Sequence, residues 1–301
     1  MLAALKRLNI YQKEMYPVIQ RFLLGYLVFG EIYFIILLNH GITSFNFGVE
    51  ELVCGFTVFS FLFWLRIADD FKDYELDCRL FKERPLPSGR VTKKDLGIFI
   101  SILITFTLII NFIFMNNFIF CLLLYTYGSL MAVWFFQKHK IAKSLPLALV
   151  THNPVQIFIN IYIISFAVIK YNLPAIDWTN ILVLFTLYFP ALIWEVSRKI
   201  KAPKDETEYV TYSKLFGYKK AINFVFIVTW IDIFTNFALV WNLNKISVIL
   251  LLINVLWCSL KFIEFKKEPT KFKIVNKVET YTYIQESLMI LTIILYILMH
   301  R

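Results

Sequence analysis

Apolar runs close to twenty residues long recur along the whole chain, and no other feature narrows its folding options as much. A helix rises about 1.5 Å per residue, so a run of about twenty residues crosses the roughly 30 Å hydrocarbon core of a bilayer. Nine such runs stand at 21–39, 50–68, 96–114, 117–136, 145–168, 179–197, 221–242, 246–262 and 282–299. A soluble domain of 301 residues would carry more charge than this one, which is 59% hydrophobic with 31 Phe. The first run is long and no small-x-small site follows it, so it does not read as a cleaved leader. The expectation is an all-α polytopic membrane protein with nine transmembrane helices in one domain, residues 1–301.

The net charge of +10 suggests nucleic acid only until its distribution is read. Residues 1–21 and the segments near 66–95, 137–144, 198–220 and 261–277 hold 28 of the 31 Lys and Arg. Lys170, Lys245 and Arg301 fall on the other side. Loops rich in Lys and Arg stay cytoplasmic, so the N-terminus is expected inside and the C-terminus outside. The excess of charge is then topological, with some attraction to anionic lipid headgroups, and no nucleic-acid partner is expected. Cys54, Cys78, Cys121 and Cys258 are scattered, with no CxxC pair, and predict neither a disulfide framework nor a zinc site. Leu2, Leu5 and Leu8, with Lys6, Arg7 and Lys13, suit either a short helix on the inner surface or a plain flexible tail.

Past the second run, carboxylates crowd together in RIADDFKDYELDCRLFKERPLPSGR, residues 66–90. If that helix continues through residue 77, Asp69, Asp70, Asp73 and Asp77 share an arc of roughly 100°, and Glu75 points elsewhere. Arg66 lies on the same face. Like charges at i,i+4 repel, and a single Arg cannot balance four carboxylates. A divalent cation can. Oxygen-only ligands favour Mg²⁺, which commonly bridges carboxylates to substrate phosphates. The stripe thus points to a phosphate-bearing substrate at the inner leaflet. A solvated helix end paired with neighbouring Lys and Arg is the competing reading. The turn that follows, Arg84-Pro85-Leu86-Pro87-Ser88-Gly89, is stiff and suits holding Arg84 and Arg90 near the same phosphates.

DDFKDYELD followed by RPLPSGRVT resembles the first signature of the UbiA superfamily of membrane prenyltransferases. Asp70, Asp73 and Asp77 match the aspartates of that signature, and Asp69 stands where Asn is usual. The resemblance implies a bundle of transmembrane helices around a central cavity. It also implies Mg²⁺-dependent transfer of an isoprenoid from a prenyl diphosphate to an acceptor at the cytoplasmic face. Asp70, Asp73 and Asp77 would be catalytic, and Asp69 would join them as a metal ligand. An aromatic quinone-type precursor is the expected acceptor, and a bacterial cell membrane the expected location.

The second acidic cluster of that family belongs after the sixth run. Here the segment reads WEVSRKIKAPKDETEYVTYSKLFG, residues 194–217, and TYSKLFG suits the register. Glu195 is expected to hold a second metal, with Arg198 and Lys199 binding diphosphate directly. Simple Glu–Lys pairing at i,i+4 is the alternative. Asp205, Glu206 and Glu208 follow Pro203. Lys138 and Lys140 of QKHK either touch phosphate or anchor a loop. His152, Asn153 and Gln156 beside Pro154 either meet the acceptor or satisfy backbone freed by a kink. A transporter with a cytoplasmic metal or phosphate site is the rival class. A CDP-alcohol phosphotransferase is excluded by the absence of its Asp-Gly-x-x-Ala-Arg motif.

Overall fold

A computed structural model describes residues 2–207 and 210–300; Glu208 and Arg301 lie outside the described residues, as does the Leu2 side chain. Helices account for the regular structure, and no strand occurs among the described residues. The chain forms two compact units.

The first unit comprises the chain up to Gly30, Asn46–Lys138 and Val168–Leu173. It holds α1 (Leu2–Met15), the start of α2 (Val18–Asn39), α3 (Val49–Lys72), α4 (Tyr74–Leu80), α5 (Lys93–Phe114) and α6 (Phe118–Ala132). Glu50 and Glu51 sit in the first turn of α3 and Lys72 in its last, complementing the helix dipole at both ends. Thr92 and Asp95 form a reciprocal capping box at the start of α5. Buried hydroxyl and amide groups join these spans. Ser60 on α3 bonds Thr107 on α5 at 2.7 Å and Tyr125 on α6 at 3.1 Å, and Asn111 donates to Thr57 at 2.7 Å. Such polar contacts hold helices together where lipid removes the hydrophobic driving force. Gly25 on α2 lets that helix approach α3 closely, since a Cβ there would lie 2.8 Å from the Phe59 Cα.

The N-terminal segment is a packed helix rather than a tail. Tyr11 and Tyr16 are buried with Phe59, Phe63, Ile67, Leu86, Val91 and Leu96. Tyr16 stacks on Phe63 with ring centroids 4.2 Å apart. Arg7 reaches Asp95 through two bonds of 2.7 and 2.8 Å, and Arg90 reaches Glu14 in the same forked way.

The second unit comprises Glu31–Phe45, His139–Ala167 and the chain from Pro174. After the short α7 (Lys138–Ile141) come α8 (Leu145–His152) and α9 (Val155–Tyr171), then α10 (Trp178–Phe185) and α11 (Tyr188–Ser197). The chain continues through α12 (Tyr212–Phe216), α13 (Tyr218–Val240), α14 (Lys245–Lys267) and α15 (Ile274–Met299). Two spans here are broken. Pro154 separates α8 from α9, because a proline cannot complete the helical bonding of the turn before it. Leu187, with φ of 63°, separates α10 from α11. The carbonyls freed at that second break do not go unpaired: the Asn160 amide donates to Leu184 at 2.9 Å and to Thr186 at 2.6 Å. Irregular backbone within a span is tolerated when protein groups satisfy it in this way.

Among the described residues, eight helices are long and apolar enough to cross a membrane, and the chain is a polytopic all-α membrane protein. The expected ninth span is the one these helices do not include. The run at 117–136 yields only the 15-residue α6, which at about 1.5 Å per residue falls short of the hydrocarbon thickness. It stops because Trp134, Phe135 and Phe136 all take positive φ, from 49° to 58°, and turn the backbone out of the right-handed helix.

Candidate active site

The acidic stripe lies in the first unit. The expected unbroken helix through residue 77 is interrupted: α3 ends at Lys72, and Asp73 takes φ −99° and ψ 9° before α4 begins. The helical bonding nonetheless continues, from Asp73 N to Asp69 O and from Asp77 N to Asp73 O, both at 2.9 Å. The one-turn spacing of Asp69, Asp73 and Asp77 is therefore kept.

Each aspartate has its own surroundings. Asp70 is buried, pairs with Arg66 at 2.9 Å and accepts the Tyr11 hydroxyl at 2.5 Å. Asp77 is buried and takes Arg84 at 2.8 Å, while the Arg84 guanidinium lies 3.9 Å over the Phe81 ring. Asp69 pairs with Lys72 at 3.0 Å, and that ammonium lies 4.7 Å over the Trp134 ring. Asp73, among the described residues, makes no ion pair. Burial pushes its carboxyl above the usual range; Lys72 draws it back, Asp69 and Asp77 push it up further, and Lys138 draws it back again. Tyr11, Asp70, Asp77 and Arg84 line one narrow cleft, floored by Leu86 and Pro87. The Arg84–Gly89 turn closes through Ser88 N to Arg84 O at 3.0 Å, with Gly89 at φ 75°, where only glycine is unstrained. Arg90 turns away to Glu14 and to the Glu83 carbonyl, so only the first arginine of the turn joins the site.

Tyr11 was not legible as a site residue. It sits 59 residues before Asp70, and only the docking of α1 brings them together. Burial first, then the Asp70 charge, pushes its hydroxyl far above the usual phenol range, so it remains a proton donor. Tyr11→Phe is expected to leave the fold intact and to lower turnover by roughly tenfold, because one oxygen of Asp70 loses its donor and the carboxylate its fixed orientation. Steady-state rates beside a thermal melt check this; an unchanged rate would reduce Tyr11 to packing.

Of the other basic and acidic candidates, Lys138 closes a segment of the first unit and the rest belong to the second. Lys138 and Lys140, at the start of α7, are exposed. Glu195 near the end of α11 receives Arg198 at 2.5 and 3.0 Å and Lys199 at 2.8 Å, so both cations pair with the one carboxylate. Arg198 also lies 5.2 Å over the Trp194 ring. Glu206 is committed to its own loop, accepting from Thr211 at 2.7 Å and Ser213 at 2.5 Å, and Ser213 in turn receives the Lys201 N–H. Asp205 is exposed. Burial first, reinforced by Glu195 and opposed by Arg198, pushes the Tyr212 hydroxyl up to about 12.

Of the polar residues around Pro154, Gln156 has a task in the fold. Gln156 donates to Asn160 at 3.0 Å and so orients the amide that caps the α10–α11 break. Among the described residues, no three His, Cys, Asp or Glu side chains converge as a ready metal cage. Magnesium does not require one: it takes one or two carboxylates and completes its shell with water and substrate phosphate. Asp73, flanked one turn away by Asp69 and Asp77, supplies hard oxygen donors of the right kind. Sequence reading also passed over three carboxylates inside spans: Glu31 on α2, Asp232 on α13 and Glu286 on α15.

The chain matches no protein-family model, and no curated protein matches it in sequence. Its fold is shared with a solved membrane-protein structure and agrees with the fold that the sequence resemblance implies. The solved structure that shows this is a digeranylgeranylglyceryl phosphate synthase in membranes, with a TM-score of 0.62 and coverage of 97% of this chain and 99% of that one. Identity is 17%, so the likeness is one of fold.

Proposed function

We propose that the protein transfers an isoprenoid group from a prenyl diphosphate to an acceptor, with the reaction on the cytoplasmic side and dependent on Mg²⁺. The observation that carries this is the retention of Asp69, Asp73 and Asp77 at one-turn spacing beside the Arg84 turn, on a fold shared with a prenyl-transferring synthase. The bond between the allylic carbon and the diphosphate oxygen breaks, and the diphosphate leaves with the electron pair. The acceptor then bonds to that carbon and loses a proton. When bound, Mg²⁺ supplies positive charge to the departing diphosphate. Asp73 and Asp77, with Asp69 and Asp70, hold it in place. Arg84 adds a forked donor directed at phosphate oxygen, and Arg66 and Tyr11 keep Asp70 fixed. Charge stabilisation of this kind, in a site organised beforehand, is the main source of rate.

An aromatic quinone-type precursor is the first acceptor to test. A phosphate-bearing acceptor is the second, favoured by Arg198 and Lys199 standing where acids would be expected. A transporter remains the rival class, and the carboxylates inside the spans favour it. The deciding experiment crosses prenyl diphosphates of several lengths with aromatic and phosphate acceptors, with and without Mg²⁺, using purified protein in lipid. Prenylated product that vanishes on chelation supports the reading. Absence of product in every combination, with the protein folded, overturns it.

The Glu195 group separates two roles. If it holds metal and phosphate, Glu195→Gln should weaken the response to Mg²⁺ and Lys199→Ala should weaken prenyl-diphosphate binding. If the residues only pair with each other, both variants should cost under about 1 kcal/mol of stability, with activity unchanged. The double variant should then cost no more than either single one. Magnesium titrations and substrate affinities for the singles and the double decide between the two.

A further inference from the structure

Three carboxylates meet inside the membrane-spanning helices of the second unit with no cation to balance them. Glu31, Asp232 and Glu286 each lie near the middle of a different span. Glu31 is 4% exposed and Asp232 fully buried. No Lys, Arg or His pairs with any of them among the described residues. Charge placed at such depth is expensive, and an ionisable group there marks function by default.

The donors and acceptors around the three acids do not balance. Asp232 is well served: the Tyr281 hydroxyl donates at 3.2 Å, the Asn236 amide at 3.1 Å, and the Gln285 amide also donates. Glu31 and Glu286 face each other within hydrogen-bonding reach. Neither Glu31 Oε1 nor Glu286 Oε2 has a donor from any protein group. The buried amide oxygens of Asn236 and Gln285 are likewise without donors, and both residues are at most 1% exposed. Both amides are joined to Asp232, so the surplus acceptors gather in one place. Two carboxyl groups can be hydrogen-bonded to each other only if one of them carries a proton. Two ionised ones side by side would repel instead.

We propose that Glu31 and Glu286 form an intramembrane proton-binding site, in which a proton is shared between the two carboxyl groups beside the buried carboxyl group of Asp232. The other titratable groups bordering it are Tyr281 on α15 and, beyond Tyr281, Cys258 on α14. Neither is cationic, so nothing nearby competes with the proton for the pair. Loss of the proton would set like charges against each other between α2 and α15 and load that contact. This inference does not depend on prenyl transfer.

Infrared difference spectroscopy of the full-length protein in lipid tests it. At neutral pH a carbonyl-stretch band of a protonated carboxylic acid should be present and should shift in D₂O. Glu31→Gln and Glu286→Gln should each remove or displace that band, and Asp232→Asn should not abolish it. Gln resembles the protonated acid in shape and charge, so both variants should fold, with melting temperatures at or above that of the parent. Should either fail to fold, the unsubstituted protein still decides: its band must disappear reversibly as pH is raised. A neutral-pH spectrum with no protonated-acid band, or one whose band is identical in both Gln variants, overturns the proposal.

Discussion

Asp73→Asn should reduce Mg²⁺-dependent turnover on the order of a hundredfold or more while leaving the melting temperature close to that of the parent. The change removes a charge and keeps the shape. Asp69, Asp70 and Asp77 are each already tied to a cation. Asp73 alone of the four makes no ion pair among the described residues, so its oxygens are the ones at liberty to meet a divalent ion. Losing it withdraws a ligand at the point where diphosphate charge develops, and one misplaced electrostatic group of this kind costs several kcal/mol of transition-state stabilisation. Stability should hardly fall, because burial and the flanking Asp69 and Asp77 already work against the ionised form. Initial rates across a Mg²⁺ titration, read beside a melt, check both halves. Full turnover at saturating Mg²⁺ would leave the stripe as a helix end paired with its own cations.

Arg84→Ala should do two things at once. It should lower kcat/KM for prenyl diphosphate by roughly a hundredfold, because a forked guanidinium contact to phosphate is lost. It should also destabilise the protein by about 1–3 kcal/mol, since Asp77 is buried and would lose its partner, a cost moderated by the partial exposure of Arg84. Arg84→Lys separates the two effects. A lysine can restore charge to Asp77 but not the fork, so it should recover the melt and leave KM raised. If Arg84→Lys restored both, or if neither variant altered KM, Arg84 would be a structural partner of Asp77 and nothing more.

Much of the architecture can be read from the residues themselves. Every apolar run became a helix, because nothing but internal backbone pairing satisfies such a segment in lipid. The fourth run misleads because Trp134, Phe135 and Phe136 look like the continuation of a span. Their left-handed backbone leaves no Gly or Asn signature. The same holds for the break at Leu187, where the deciding group, Asn160, sits on another helix. The acidic stripe is legible because one-turn spacing is local. Tyr11 is not, since its contact with Asp70 depends on tertiary docking. Glu31, Asp232 and Glu286 are each conspicuous as charges within apolar runs, yet only the folded spans reveal that they meet. The pairing of Glu195 with Lys199 follows from i,i+4 geometry; the extra hold of Arg198 on both carboxylate oxygens does not.

The docking of α1 sets an order of events during biogenesis. This helix leaves the ribosome before the spans it docks on, and Asp95, which grips Arg7, is 88 residues further along the chain. At about 5–20 residues per second, roughly 4–18 s separate the synthesis of the two. For most of that interval α1 has neither Asp70 nor Arg90 to bind, and its buried tyrosines must wait in water or at the lipid surface. A segment made before the spans of its unit is thus among the last to settle there, and it settles on Asp70 of the proposed site. A bulky N-terminal fusion would then act late, hindering closure of the strap after the spans are already inserted. Such a protein should reach the membrane in normal amounts and turn over slowly, whereas the same fusion at the C-terminus should not slow it.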